Sequence, residues 1–300
     1  MTIKNYLNIT EGKNSWKRYL SSCLLAIACM LIGSLVYGLS IGLIIAFDGK
    51  ESTYIDFITG MPVGLNPTLN LLFMHIVNIF WIIGIWIGVR FIHKRSLLSL
   101  ITANKKLNWR RVLWGFAVFG GLLVLTTLID VVFNAPDYSW NNVNGKEYLF
   151  LFLITLLFVP IQTTSEELFF RGMLLQWIGK ALKQPIILSL IIGLIFGCMH
   201  FTNPEMDKSF VLVGLDYIVT GFALTYISVK TGSLEISIGA HAANNMFLFW
   251  FLATDDSVAG NIPSLFKTVN ESPGLSLVWS ILIFAVFYLL SRKKVKKEQI

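Results

Sequence analysis

An apolar stretch from Leu149 to Trp177 is interrupted by two adjacent acids and a base, Glu166, Glu167 and Arg171, in the run TSEELFFRG. In a helix, Arg171 lies four residues after Glu167 on the same face, in the acid-before-base order that favours pairing. Glu166 is turned about 100° away and has no partner within its own helix. The spacing therefore assigns Glu167 to charge compensation and leaves Glu166 able to accept and return a proton. Two further runs carry reactive side chains in hydrophobic sequence. LIFGCMHFTN sets Phe196 and His200 four apart. ISIGAHAANNMF sets His241 and Asn245 four apart, amid the small residues Gly239, Ala240, Ala242 and Ala243 that let helices approach closely. Taken singly, each has a packing explanation: a structural ion pair, an interfacial histidine, an interhelical hydrogen bond. Taken together, two of the chain's four histidines and its most isolated carboxylate fall on hydrophobic segments. A charge near the bilayer centre costs roughly 2.5 to 3.5 kcal/mol on insertion scales, so the convergence points to function.

Two chemistries suit these groups. Glu166 with His200 could hold and deprotonate a water, while His241 with Asn245 donates to the oxyanion formed when that water attacks a peptide carbonyl. Alternatively Glu166, His200 and His241 could bind Zn2+, whose Lewis acidity would activate a bound water. The sequence has no His-Glu-x-x-His motif, so the commonest zinc protease arrangement is absent. Ser165 and Cys198 are weaker candidates as nucleophiles, because neither has a base on the same face of its own helix.

The elements that must position these groups follow from composition. Hydrophobic residues make up 55% of the chain and charged residues only 14%, and the mean hydropathy is +0.69, so this is an all-α polytopic membrane protein. Crossing roughly 30 Å of hydrocarbon takes about 20 helical residues. Eight apolar segments qualify, near 19–47, 69–92, 112–133, 149–179, 186–203, 211–229, 234–253 and 275–291. Residues 1–148 are read as an N-terminal set of three helices, 149–253 as the chemical core, and 254–300 as a last helix with a basic tail. With both termini in the cytoplasm, 20 of the 24 lysines and arginines, Lys4 among them, fall on the cytoplasmic side. The outer loops hold most of the acids, among them Asp48, Asp137, Asp255, Asp256 and Glu271. The net charge of +7 is therefore topological and suits anionic headgroups rather than nucleic acid. The absence of a targeting tag and the moderate length lead us to expect a prokaryotic plasma membrane. Cys23, Cys29 and Cys198 are odd in number and lack metal-ligand spacing, so they read as packing residues. His75 and His93 read as packing or interfacial, Asp130 as water-exposed, and Glu235 as lying at the cytoplasmic boundary. Asp216 and Thr220 could line the cavity or serve as interhelical ties.

At these motifs the chain resembles the type II CAAX prenyl protease and bacteriocin-processing family, also called the CPBP or Abi intramembrane proteases. The resemblance rests on Glu166, Glu167 and Arg171, then Phe196 and His200, then His241 and Asn245, in order over roughly residues 150–250. It implies an eight-helix intramembrane endopeptidase in which Glu166 and His200 activate water and His241 and Asn245 stabilise the oxyanion, with Glu167, Arg171 and Phe196 in support. It implies a membrane peptide or protein as substrate, prenylated or bacteriocin-like, and leaves open whether Zn2+ takes part. The alternatives from the residues are a proton-coupled transporter and an inert membrane scaffold or immunity protein. One tension accompanies this picture: a full-length fifth helix would carry His200 toward the outer face, away from Glu166.

Overall fold

A computed structural model describes residues 6–56, 62–254, 262–269 and 272–298. Lys4, Asp255, Asp256 and Glu271 of the charge pattern lie outside them. Each of the eight apolar segments is helical. The helices are α1 (Trp16–Asp48), α2 (Pro67–Ile87), a short α3 (Leu98–Ile101), α4 (Trp109–Asn134), α5 (Gly145–Glu167), α6 (Leu175–Ile178), α7 (Pro185–Cys198), α8 (Phe210–Thr231), α9 (Glu235–Phe251) and α10 (Pro273–Lys297). Their starts follow local chemistry. The side chains of Asn66, Asn108, Asn144, Gln184, Ser209 and Ser272 each accept a backbone N–H of the first turn, and Pro67, Pro185 and Pro273 occupy first-turn positions where no N–H is needed. α5 passes into α6 through a widened π turn, Leu168–Leu174.

Among the described residues, six helices are long and apolar enough to cross a membrane, and the protein is an integral membrane protein. The two shorter apolar helices are α7, with 14 residues, and α9, with 17. At 1.5 Å per residue they span about 21 and 25 Å, short of a full crossing. Both carry site residues. The helix expected over 186–203 stops at Cys198, and residues 199–203 form a turn in which the His200 N–H bonds the Gly197 carbonyl (2.9 Å) and the Asn203 N–H bonds the His200 carbonyl (3.0 Å). Beyond the turn, Pro204, which has no N–H to offer a ladder, opens a short 3-10 turn, Pro204–Asp207. His200 therefore sits just beyond the helix rather than on it.

α5 lies between α2 and α9, and the π turn behind it also meets α1, α3 and α7. α9 packs on α4 and touches α8, which pairs with α7 and α10, while α1 flanks α2. Leu168, Phe169, Phe170 and Met173 of the π turn form the centre of the main core, with Phe196 and Trp81 against them. Leu31, Leu35 and Leu39 of α1 and Leu113, Leu128 and Val132 of α4 stay exposed, as lipid-facing residues should. At the end rich in acids, β3 (Tyr138–Trp140) pairs antiparallel with β5 (Phe266–Thr268), and β5 pairs parallel with β4 (Leu252–Ala253). A second pair joins β1 (Tyr54–Ile55) to β2 (Pro62–Val63).

The contact that seats α9 is unusually close. A Cβ on Gly239 would overlap the Val112 carbonyl and lie 2.7 Å from the Phe116 nitrogen, and one on Gly115 would overlap the Ile236 carbonyl. Because the obstacles are backbone, neither helix can yield by turning a side chain. Gly239→Ala is expected to lower stability by about 2 kcal/mol or more and to displace His241, two residues along; a melting temperature equal to wild type would contradict this packing.

Lysine- and arginine-bearing loops gather at the opposite end, where Glu235 is wholly buried. It accepts the Asn108 N–H (2.8 Å) and the Ser233 hydroxyl (3.0 Å), and Arg111 lies 3.5 Å away. His93 is also fully buried there, its Nδ1–H donating to Asn14 Oδ1 over 3.1 Å. Burial, helped by the charge of Arg95, pushes the pKa of His93 down to about 4. The folded protein thus keeps His93 neutral while an unfolded chain protonates it below roughly pH 6.5. Stability present above pH 6.5 is lost as pH falls toward 4, by about 2 kcal/mol at pH 5. Unfolding measured at pH 7.5 and pH 5 should show that drop shrink by about this amount in His93→Gln.

Candidate active site

Glu166 and Glu167 are the last turn of α5, and both are buried, Glu167 completely. Arg171, one turn on within the π turn, is completely buried too. Its guanidinium donates to Glu167 Oε1 at 3.0 Å, to the Thr225 hydroxyl at 3.3 Å and to the Gly221 carbonyl at 3.4 Å, and it lies 4.3 Å above the Phe196 ring. A guanidinium held by a carboxylate, a hydroxyl, a carbonyl and an aromatic face keeps its charge in a dry interior. α8, which supplies Thr225 and Gly221, thus contributes to the site.

Glu167 has a second partner. The Nδ1–H of His241 donates to the same Oε1 at 2.8 Å, which fixes the imidazole and turns Nε2 toward Glu166, 3.7 Å from its Oε2. That distance exceeds a direct hydrogen bond. His241 therefore stands between the two acids, bound to one and facing the other.

His200 enters from the turn after α7. Its Nδ1–H donates to the Phe196 carbonyl at 2.8 Å, leaving Nε2 as its free nitrogen. Its ring packs on Phe196 at 4.6 Å and stacks on Tyr217 of α8 at 4.4 Å. Phe196 also meets the His241 ring edge-on at 6.1 Å, so both imidazoles touch one phenyl ring. Tyr217 is in turn anchored, donating to Glu205 and accepting from Asn203 at 3.0 Å. Asn245 lies one turn beyond His241 on α9, and its Oδ1 accepts from Asn244 at 3.2 Å. With that oxygen engaged, the Asn245 NH2 is the end left to donate.

All the residues expected from the sequence thus lie on α5, the π turn, α7 with its following turn, and α9, elements that pack on one another. Direct side-chain contacts join Glu166, Glu167, Arg171, Phe196, His200 and His241. The expected pairing of Glu166 with His200 is not among these contacts; Glu166 adjoins His241. Thr225, Tyr217, Asn203 and Asn244 were not anticipated. Only the Asn244-Asn245 doublet in an apolar helix carried a readable signal, since Thr225 and Tyr217 depend on how α8 docks. The Ser165 hydroxyl is spent on the Gln162 carbonyl (2.7 Å), and Cys198 is exposed on the outer surface of α7. Asp216 lies partly buried on α8.

Among the described residues no three His, Cys, Asp or Glu side chains are grouped to hold a metal ion. Of the set Glu166, His200 and His241, the two imidazoles each touch the Phe196 ring and Glu166 adjoins His241.

The model of the type II CAAX prenyl endopeptidase family, Rce1-like, matches residues 145–247, from the start of α5 through most of α9. The uncharacterized protein YyaK of Bacillus subtilis (strain 168) is 40% identical over 300 residues, covering 99% of each chain. No solved structure matches. The family match therefore spans all the motif residues, within a chain alignable end to end with the Bacillus protein: this chain belongs to the Rce1-like family of type II CAAX prenyl endopeptidases.

Proposed function

We propose that this protein is a glutamate-type intramembrane endopeptidase that hydrolyses a peptide bond in a membrane-associated peptide or protein. The observation carrying this reading is the division between the two acids: Glu167 absorbs Arg171 and His241, whereas Glu166 faces only the free Nε2 side of His241. Glu166 acts as the base. It removes a proton from a water whose oxygen attacks the carbonyl carbon, and His200 Nε2 helps orient that water. The oxygen of the tetrahedral intermediate takes hydrogen bonds from His241 Nε2–H and the Asn245 NH2. The C–N bond breaks as Glu166 returns its proton to the leaving nitrogen, which regenerates the carboxylate and releases acid and amine. Asn244 serves by holding the Asn245 amide in its donating orientation.

The charge asymmetry supports placing the basic end and both termini in the cytoplasm, in a prokaryotic plasma membrane. The site then lies nearer the cytoplasmic face, suited to a chain anchored there by a prenyl group or an apolar segment. The test is incubation of purified, lipid-reconstituted protein with prenylated and apolar membrane peptides, with fragments read by mass spectrometry and metal content measured on the same sample. Cleavage by metal-free protein supports the glutamate mechanism. Cleavage that depends on stoichiometric zinc would favour the metal reading, and no cleavage of any membrane peptide would oppose the assignment. Asn244→Ala is expected to lower kcat about tenfold, less than Asn245→Ala; equal rates for Asn244→Ala and wild type would remove its orienting role.

A further inference from the structure

The segment ahead of α1 folds back across the basic end and reaches the catalytic helix. Tyr6 is 1% exposed, and its hydroxyl lies 2.9 Å from the carbonyl oxygen of Arg171 and 2.8 Å from that of Leu100. The Arg171 carbonyl belongs to the π turn. There the Leu175 N–H reaches the carbonyls of Phe170 and Gly172, passing over Arg171. A widened turn of this kind is locally weak and tends to occur at functional sites. Here its passed-over carbonyl is met by a phenol from a distant part of the chain. The one O–H is shared between two carbonyls and so ties α3 to the π turn, which are already close: a Cβ on Gly172 would lie 3.0 Å from the Leu100 Cβ.

The rest of the segment is laced down to keep the phenol in place. The Glu11 carboxylate accepts the Ser96 N–H (2.7 Å), the Lys13 N–H donates to the His93 carbonyl (2.7 Å), and Lys180 and Lys183 donate to the Asn14 carbonyl (2.8 Å) and Asn8 Oδ1 (3.0 Å). Burial first, and the charge of Glu167 second, pushes the Tyr6 hydroxyl well above the ordinary phenol range, so it remains a donor through neutral and alkaline pH.

We propose that Tyr6 is a positioning residue: it holds the π turn in the register that keeps the Arg171 guanidinium on Glu167, and through Glu167 keeps His241 aimed at Glu166. The catalytic half of this inference rests on the peptidase reading; the structural half does not. The variant is Tyr6→Phe, which keeps the ring and its packing and removes only the O–H. Hydrogen exchange of the amides from Leu168 to Gln176 should quicken about fivefold, the scale of one lost hydrogen bond, with exchange elsewhere unchanged. In the peptide assay kcat should fall by a similar factor, about fivefold, with KM unchanged. Unchanged exchange in the π turn overturns the proposal, as does a uniform rise over the whole chain, which marks general destabilisation. Faster local exchange with wild-type kcat overturns the catalytic half. Faster local exchange in Tyr6→Phe, together with a wild-type protein that cleaves nothing, would sink the peptidase reading and leave Tyr6 as the holder of the turn.

Discussion

Arg171→Met is expected to unfold the protein or to lower its stability by about 3 to 5 kcal/mol, the usual result of stranding one charge of a buried pair. Glu167 is 0% exposed, and without Arg171 its carboxylate would keep only His241. The replacement fills comparable volume, so packing loss is small and the penalty is electrostatic. A loss of that size is a large part of the roughly 5 to 15 kcal/mol that holds an ordinary domain together. Removing both charges, in Glu167→Gln with Arg171→Met, should recover part of the loss, because no isolated charge remains buried. Thermal unfolding of the single and double variants in one detergent reads this directly. If the single variant melts with wild type, the pair is not a structural anchor and the roles of the two acids need reassignment.

His241→Gln is the second large effect, and it should appear in two readouts. Loss of a preorganised oxyanion donor typically costs 10² to 10³ in rate, and cleavage should fall at least this far. Stability should also drop, by about 1 to 3 kcal/mol, because Glu167 loses a buried donor. Asn245→Ala provides the contrast. Asn245 is only half-buried and bonds Asn244 rather than the ion pair, so its loss should slow cleavage by about 10² with little change in melting temperature. Parallel losses of stability in the two variants would argue against separate roles.

Side-chain chemistry was more legible in the sequence than geometry. The pairing of Glu167 with Arg171 follows from a four-residue spacing, since both partners sit on one stretch of helix. The eight helical segments follow from long apolar runs, and those facing lipid needed no tertiary information. What escaped was decided between elements. Apolar composition carries on past Cys198 and hides the turn that holds His200. The approach of His241 to Glu166 depends on how α9 docks, and Gly239 and Gly115 set its contact with α4 by letting backbones touch. Thr225 meets Arg171 across 54 residues and Tyr6 meets it across 165, and no local pattern encodes such meetings.

The most direct test of the central claim compares wild type with Glu166→Gln, reconstituted in the same lipid and given the same membrane peptide. Glutamine keeps the shape but cannot take the proton of the attacking water, so the variant should melt within a few degrees of wild type and cleave at least about 10³-fold more slowly. Cleavage at the wild-type rate by a folded Glu166→Gln protein would contradict the account.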